Sequence, residues 1–171
     1  ARSLPPTFEG VTLQSMYTVG KLEDTISSEY QKVLASSYSR AHNTYHPVLQ
    51  DDLSRLHFED LFLIDAETGI ITYSIKKEID YGTSLLHGPY KESNLAKLFA
   101  QVQHAAKPVV LFADFDHYAP FSDRPASFLA CPVYKNGIRR AVLAAQLSID
   151  ELDNLLSDSR KWPAAGLGRT G

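Results

Sequence analysis

A long helical stripe of apolar residues is the feature of this sequence that most constrains its fold. The stripe consists of Leu22, Ile26, Tyr30, Val33, Leu34, Tyr38, Ala41 and Tyr45. A second helical pattern follows directly, with Pro47 suited to its first turn and apolar residues at Leu49, Leu53 and Leu56. An amphipathic helix of this length needs a surface to cover its apolar face. The pattern therefore predicts that the helix packs on a sheet of the same chain, on the same helix of a second copy, or on both.

Short strands replace the helical pattern after residue 60. Residues 61–64 and 70–75 are apolar or β-prone and flank turn residues, which predicts a hairpin. A loop over 77–90, a short helix containing Leu95, Leu98, Phe99 and Val102, and strands over 109–115 and 127–134 follow. Asn136-Gly137 predicts a type I′ turn into a last strand over 138–147. Ser148 and Glu151 then form a capping box that predicts a final helix.

This order of elements predicts one α+β domain of PAS-like architecture. A five-stranded antiparallel sheet would pack on the long N-terminal helix. We assign residues 1–20 to a lead segment, 21–157 to the domain, and 158–171 to a linker or the start of a following module. The length of 171 residues fits a single domain.

Charge and composition exclude several classes of protein. The formal net charge is -3 and no block of Lys and Arg stands out, so a nucleic-acid partner is disfavoured. The single Cys131 cannot form an internal disulfide. No apolar run reaches the roughly 18 residues that predict a membrane span. Because the chain starts at Ala1 and stops in a Gly-rich stretch, we interpret it as a fragment of a longer protein.

Three patterns that could carry chemistry are better explained as ordinary structure. His42 and His46 have the spacing of two metal ligands, but the HExxH pattern and a third ligand are missing. Ser74 and Lys77 fit an S-x-x-K pattern, but Ser74 lies in a predicted strand rather than at the start of a helix. Cys131 lies in an apolar strand, as structural cysteines do. We therefore expect no enzymatic activity, no metal and no cofactor.

Polar and aromatic side chains gather around the predicted strand ends, where binding sites usually lie. The predicted ligand-binding residues are Tyr73, Lys77, Tyr90, Asp114, Tyr118 and Ser127. Tyr118 and Tyr90 would donate hydrogen bonds, and Lys77 would pair with an anion. Asp114 would accept from an amine or hydroxyl, while Tyr73 and Ser127 would line the pocket. An error of one residue in strand register would move half of this set to the wrong face.

Several segments together resemble the Cache sensor domains of bacterial methyl-accepting chemotaxis proteins and related signalling proteins. The segments are Asp60 to Asp65, Thr68-Gly69, Tyr73-Ser74, Lys77-Glu78, Asp80 to Leu85, Gly88 to Tyr90, Asp114-Phe115, Tyr118, Pro120, Pro125 to Pro132, Gly137 and Val142 to Leu147. The resemblance implies a PAS-like fold in the periplasm, carried by an inner-membrane protein. It also implies sensing of a small carboxylate or amino acid and transmission of a signal through long helices.

Two departures from the family pattern affect the expected pocket. Lys76 stands where a bulky apolar residue is common, and His57-Phe58-Glu59 replaces a more aromatic entry to the first strand.

The alternative function is a ligand-free dimerisation module that responds to a partner protein. For either function we expect a homodimer along the first helix, with Ile26, Tyr30, Val33 and Ser37 in the seam.

Overall fold

The structure, a computed structural model, describes residues 28–149 of the chain. The long helix α1 (Ser28–Leu56) is followed by β1 (Phe58–Asp65), β2 (Ile71–Ser74), α2 (Asn94–His104), β3 (Leu111–Tyr118), a 3-10 helix (Ala119–Phe121), β4 (Arg124–Lys135) and β5 (Ile138–Leu147). Pro47 lies inside α1, so the two predicted helical segments form one helix. No helix within the described range is long and apolar enough to cross a membrane.

The five strands form one antiparallel sheet in the order β2-β1-β5-β4-β3. This confirms the predicted α+β architecture and the PAS-like sheet. Asn136 and Gly137 both have positive φ, as a type I′ turn requires, and they join β4 to β5. The assigned domain boundaries at residues 20 and 157, and most of the predicted final helix, lie outside the described residues.

One face of the sheet carries the hydrophobic core. Phe62 of β1, Ala144 of β5 and Ala130 of β4 follow one another across the sheet, and all three are buried. Helix α2 packs on β3 and β4 and buries Leu95, Leu98, Phe99 and Val102. The other face, which we call the outer face, carries the residues that alternate with these. Helix α1 contacts β1, the strand next to the edge strand β2.

Helix α2 is held in place by polar contacts at both ends. Ser93 caps its N-terminus by accepting a hydrogen bond from the Ala96 amide. Asn94 donates to the carbonyls of Asp114 and Ala126, at 3.0 and 2.7 Å, and so ties the helix to β3 and β4. At the other end, Arg139 donates to the carbonyls of Gln103 and Ala105. These contacts fix the helix relative to the sheet beneath it.

The connection between β2 and α2 is pinned at its start by Asp60. This buried carboxylate accepts hydrogen bonds from the Ser74 hydroxyl at 2.7 Å and from the backbone amides of Ile75 and Lys76 at 3.0 and 3.2 Å. Burial raises the pKa of Asp60, while these hydrogen bonds act in the opposite direction. Asp60 is therefore an anchor that sets the direction in which the chain leaves β2.

Gly88, further along the same connection, allows the chain to fold tightly. A Cβ at Gly88 would lie 2.3 Å from the Ser84 carbonyl oxygen, a distance that real Cβ atoms do not adopt. The Gly88 amide donates to that same carbonyl at 2.7 Å. The connection is thus a compact, hydrogen-bonded cover over the sheet.

Candidate functional site

A buried acid and a buried phenol meet beneath this connection. Asp80 and Tyr118 are each 1% exposed, and the Tyr118 hydroxyl donates to Asp80 Oδ2 at 2.5 Å. The Tyr118 ring stands edge-on to Phe128, with ring centroids 5.1 Å apart, and Phe128 in turn contacts Phe62. Ionisable groups in a protein interior are rare unless they are paired or functional. The pair is therefore the natural centre of a candidate site.

Two buried polar atoms near this pair lack a hydrogen-bond partner among the described residues. They are Asp80 Oδ1 and Gln146 Nε2. Gln146 lies directly opposite Phe128 in the β4–β5 register, so Gln146 and Tyr118 both adjoin the Phe128 side chain on the core face. Leaving a buried donor or acceptor unpaired costs about 1–3 kcal/mol. A polar molecule that pairs with both atoms would remove this cost.

The carboxyl group of Asp80 titrates near neutral pH. The pKa of Asp80 is raised to about 7. Burial is the largest cause, the negative charges of Asp60 and Glu78 act in the same direction, and the hydrogen bond from Tyr118 acts in the opposite direction. The pKa of the Tyr118 hydroxyl is also raised, first by burial and then by the charge of Asp80. Asp80 can therefore act as a charged acceptor or as a neutral donor, depending on what lies beside it.

Backbone hydrogen bonds hold Asp80 in position. The Asp80 carbonyl accepts from the Thr83 amide at 2.9 Å and from the Thr83 hydroxyl at 2.6 Å. The Gly82 amide donates to the Ile71 carbonyl, and the Ile71 amide donates to the Thr83 carbonyl. The turn that carries Asp80 is thereby attached to the start of β2, so movement of the turn and movement of this edge strand are linked.

Cations and an aromatic ring lie at the C-terminal end of β3. The Arg124 guanidinium lies 3.6 Å from the Phe121 ring centroid, and the Lys76 ammonium lies 5.3 Å from it. Lys76 also forms an ion pair with Glu59 of β1. Cation–π contacts at partly exposed sites contribute about 0.5–1 kcal/mol each. Phe121 therefore ties the start of the connection to the turn after β3.

A second polar cluster joins α1 to the sheet edge. The rings of His42 and His46 stack with centroids 4.3 Å apart, and His46 Nδ1 lies 2.7 Å from the Tyr73 hydroxyl. The Lys77 ammonium lies 5.4 Å from the Tyr73 ring centroid. Burial and the positive charge of Lys77 lower the pKa of both histidines. We call Tyr38, His42, His46, Tyr73 and Lys77 the helix joint.

The structure divides the six predicted ligand-binding residues among different places. Tyr118 is at the centre of the site. Tyr90 is half-buried, and its pKa is raised first by burial and second by the negative charge of Asp80. Tyr73 and Lys77 belong to the helix joint instead. Tyr73 lies opposite Leu63, next to the core residue Phe62, and therefore points to the outer side of the sheet.

Asp114 and Ser127 do not converge with Tyr118. Asp114 is exposed, and its carboxylate accepts from the following amide of Phe115 at 2.8 Å. Ser127 is buried, but it precedes Phe128 in β4 and so lies on the outer face. The irregular register between Ala113 and Asp116 changes which side of β3 faces the core, so Asp114 stays exposed while Tyr118 is buried against Asp80.

Sequence patterns did not single out Asp80 or Gln146 as site residues. Asp80 stands among the turn residues of the connection, where an acidic side chain is ordinarily solvated. Gln146 occupies an apolar strand position, and a polar residue at a core-facing position is the signal that could have found it. Within residues 28–149, no cluster of three or more His, Cys, Asp or Glu could hold a metal ion.

Comparison with known proteins gives structural similarity without a sequence match. No family model matches this chain, and no curated protein matches it. Four chains among the solved structures are similar to it. One is the extracellular domain of a protein described as a histidine kinase, at 15% sequence identity and a TM-score of 0.46. The similarity covers 67% of this chain and 42% of that chain, so this chain spans less than half of that structure.

Proposed function

We propose that this chain is the extracytoplasmic sensor domain of a membrane-anchored signalling receptor of the chemoreceptor type. It binds a small carboxylate or amino acid beside Asp80, Tyr118 and Gln146. The observation that carries the proposal is the pair of buried atoms without a described partner, Asp80 Oδ1 and Gln146 Nε2. Asp80 is bonded to Tyr118, Gln146 lies opposite Phe128 in register, and the Tyr118 and Phe128 rings are in contact. The PAS-like sheet and the resemblance to Cache domains support the same function.

The polarity of the two unpartnered atoms favours an amino acid. An ionised Asp80 is an acceptor and suits an ammonium group, whereas Gln146 Nε2 is a donor and suits a carboxylate or carbonyl oxygen. Phe128 and Phe62 supply apolar surface beside them. One apolar surface with a few placed polar groups is the usual composition of a small-molecule site.

The connection that carries Asp80 also reaches α1, which gives a route for the signal. Tyr81 follows Asp80 directly, and its hydroxyl donates to the Tyr38 hydroxyl of α1 at 2.7 Å. Tyr38 in turn donates to the Thr72 carbonyl of β2 at 3.4 Å. A ligand that prefers one position of the Asp80 turn therefore biases the position of α1. It does so by the difference between its affinities for the two positions.

A thermal-shift screen against amino acids and small carboxylates tests the site. A ligand at 100 times its dissociation constant adds about 2.7 kcal/mol to the free energy of unfolding. We expect Asp80→Asn to weaken affinity by at least about tenfold, or about 1.4 kcal/mol, because the ammonium loses a charged acceptor. The matched control is Asp114→Asn, which changes an exposed acid and should leave the ligand-induced shift intact. Equal shifts in wild type and Asp80→Asn would refute the assignment.

The pH dependence of affinity distinguishes the two ligand classes. Binding of an ammonium group requires ionised Asp80, so affinity should rise as pH increases through about 7. A dicarboxylate would accept a hydrogen bond from protonated, neutral Asp80, so its affinity should fall as pH increases through about 7. Calorimetric titration at pH 6 and pH 8 separates them, and Asp80→Asn should abolish either trend.

A ligand-free dimerisation module is the second candidate function. Helix α1 leaves Tyr45, Val48 and Leu56 exposed, as expected of a helix that contacts another protein. The seam predicted for a homodimer, from Ile26 to Ser37, lies outside the part of the helix whose side chains are described. A flat ligand screen with folded protein would favour this function over sensing.

A further inference from the structure

The tip of the β4–β5 hairpin carries the one Asn-Gly sequence of the chain, Asn136-Gly137. Both residues are exposed, and both have positive φ, at 55° and 76°. They lie beyond the last paired residues of the hairpin, Lys135 and Ile138. The tip is therefore held in its type I′ turn by the pairing of the strands on either side.

Two polar groups of this tip, the Asn136 side-chain amide and the Gly137 backbone amide, make no hydrogen bond within residues 28–149. A Cβ added to Gly137 would meet no atom within 4 Å apart from its chain neighbours, so the space beside this residue is open. Because glycine has no Cβ of its own, its side of the peptide bond does not shield the Gly137 nitrogen from the Asn136 side chain. The two groups are therefore accessible to solvent and to each other.

We propose that Asn136 is a site of spontaneous chemical modification, in which its side chain cyclises onto Gly137 and water then opens the ring. The Gly137 nitrogen loses its proton to hydroxide and forms a bond with Asn136 Cγ. The bond from Cγ to Nδ2 breaks, and the side-chain nitrogen leaves as ammonia with a proton taken from water. Water then hydrolyses the five-membered succinimide at either of its carbonyl carbons. The products are aspartate and isoaspartate, and water is the only co-reactant.

The other asparagines in the described part of the chain lack this combination of features. Asn94 is buried, and its side chain donates to the carbonyls of Asp114 and Ala126. Asn43 is exposed, but it lies inside α1, where the amide of the next residue belongs to the helical hydrogen-bond pattern. The fold therefore directs the reaction to Asn136.

Isoaspartate would alter the hairpin, because it adds one atom to the main chain of a two-residue turn. This turn sets the pairing of Tyr134 with Arg139 directly behind it. Arg139 in turn donates to the carbonyls of Gln103 and Ala105 at the end of α2. We expect isoaspartate to loosen the end of α2. Ordinary aspartate, which also suits a type I′ turn before glycine, should leave it in place.

Timed incubation of the wild-type chain at 37 °C tests the proposal. We expect isoelectric focusing to show an acidic form that accumulates, because each event adds one negative charge to the formal net charge of -3. Peptide mass spectrometry should locate the change at Asn136 and detect both products, with a higher rate at pH 8 than at pH 6. The control is Asn136→Gly, which keeps a sequence suited to the type I′ turn and should stay unmodified.

Amide hydrogen exchange at Ala105, whose amide donates to the Val102 carbonyl, measures the effect on α2. Exchange should be faster in the purified isoaspartate form than in fresh wild-type protein. In Asn136→Asp, which adds the charge without lengthening the main chain, exchange should match fresh wild type. This comparison separates the effect of the charge from that of the backbone.

Three results would overturn the proposal. If Asn136 stays intact in the folded chain but is modified in urea, the turn protects it. If Asn43 or Asn94 is modified as fast as Asn136, the fold does not direct the reaction. If the isoaspartate form and Asn136→Asp exchange equally at Ala105, the longer main chain does not loosen α2. None of these measurements involves a ligand, so they are independent of the site at Asp80.

Discussion

Asp80 owes its properties to the place where the chain buries it. An exposed aspartate is ionised at neutral pH, but this one is covered by the connection, receives one hydrogen bond from Tyr118, and lies near the charges of Asp60 and Glu78. Its proton is therefore held up to a pH of about 7. A carboxyl group poised in this way can exchange its proton for a cationic ligand at little cost.

The stability of the ligand-free protein should reflect this carboxyl group. A carboxyl whose pKa is raised on folding contributes stability that is fully present below its unfolded pKa of 3.8 and is lost as pH rises through about 7. We expect Asp80→Asn to unfold at a higher temperature than wild type at pH 8, and the difference to shrink at pH 5. Thermal melts at both pH values measure this, with Asp114→Asn as the control. A wild-type advantage at pH 8 would contradict it.

Among the elements, α1 is joined to the sheet by titratable residues rather than by an apolar stripe alone. Tyr38, His42 and His46 recur every four residues, so they share one side of the helix. The side chains that face them are Tyr73 of β2 and Lys77 and Tyr81 of the connection. Neutral histidines suit this place, because Lys77 opposes a second positive charge.

The helix joint should weaken in acid. For histidines whose pKa is lowered on folding, the stabilisation is present above the unfolded pKa of 6.5 and is lost as pH falls through the lowered value. We expect the double variant His42→Gln and His46→Gln to lose part of the acid-induced fall in melting temperature between pH 7.5 and 5.5. His87→Gln, at an exposed position in the connection, is the control. If the melting temperature of the double variant falls as much as that of wild type between pH 7.5 and 5.5, the two histidines of the helix joint do not titrate as proposed.

In the whole molecule, the candidate site and the helix joint are linked by a few consecutive residues. Lys77 belongs to the helix joint, Tyr81 donates to its Tyr38, and Asp80 between them faces the site. The sheet beneath is rigidified by the aromatic contacts of Phe62, Phe128 and Tyr118. We therefore expect movement of the turn that carries Asp80 to reach α1 through these contacts.

Tyr81→Phe separates binding from transmission. The variant removes the hydrogen bond from Tyr81 to Tyr38 and should cost about 0.5–1.5 kcal/mol of stability, while Asp80, Tyr118 and Gln146 remain. We expect ligand affinity within about twofold of wild type, but a smaller ligand-induced change in amide hydrogen exchange along α1. Thr83→Val, which removes a hydroxyl bonded to the Asp80 carbonyl, is a comparison variant that should instead lower affinity. An undiminished exchange response in Tyr81→Phe would exclude this route.

Local patterns were enough to predict the architecture. Helical periodicity, two-residue alternation and the Asn136-Gly137 turn each act over a few residues, and together they specify an antiparallel sheet with a long helix before it. The predicted strands over 109–115 and 127–134 correspond to β3 at Leu111–Tyr118 and β4 at Arg124–Lys135, so only their ends differ. Of the six residues expected to bind a ligand, Tyr118 donates to Asp80, and Tyr90 lies within the electrostatic influence of Asp80. Their part in ligand binding stays a prediction.

The meeting of polar side chains was decided only by the tertiary structure. The irregular register in β3 leaves Asp114 exposed to solvent while Tyr118 points to the core. The alternation of β4 puts Ser127 on the opposite face of the sheet from Phe128. The compact turn of the connection brings Asp80 under cover, which no periodicity of the sequence indicates. The sequence by itself determined the elements and their order, because these depend on neighbouring residues. Burial, register and pKa depend on contacts between residues far apart in the chain, and these exist only once the chain has folded.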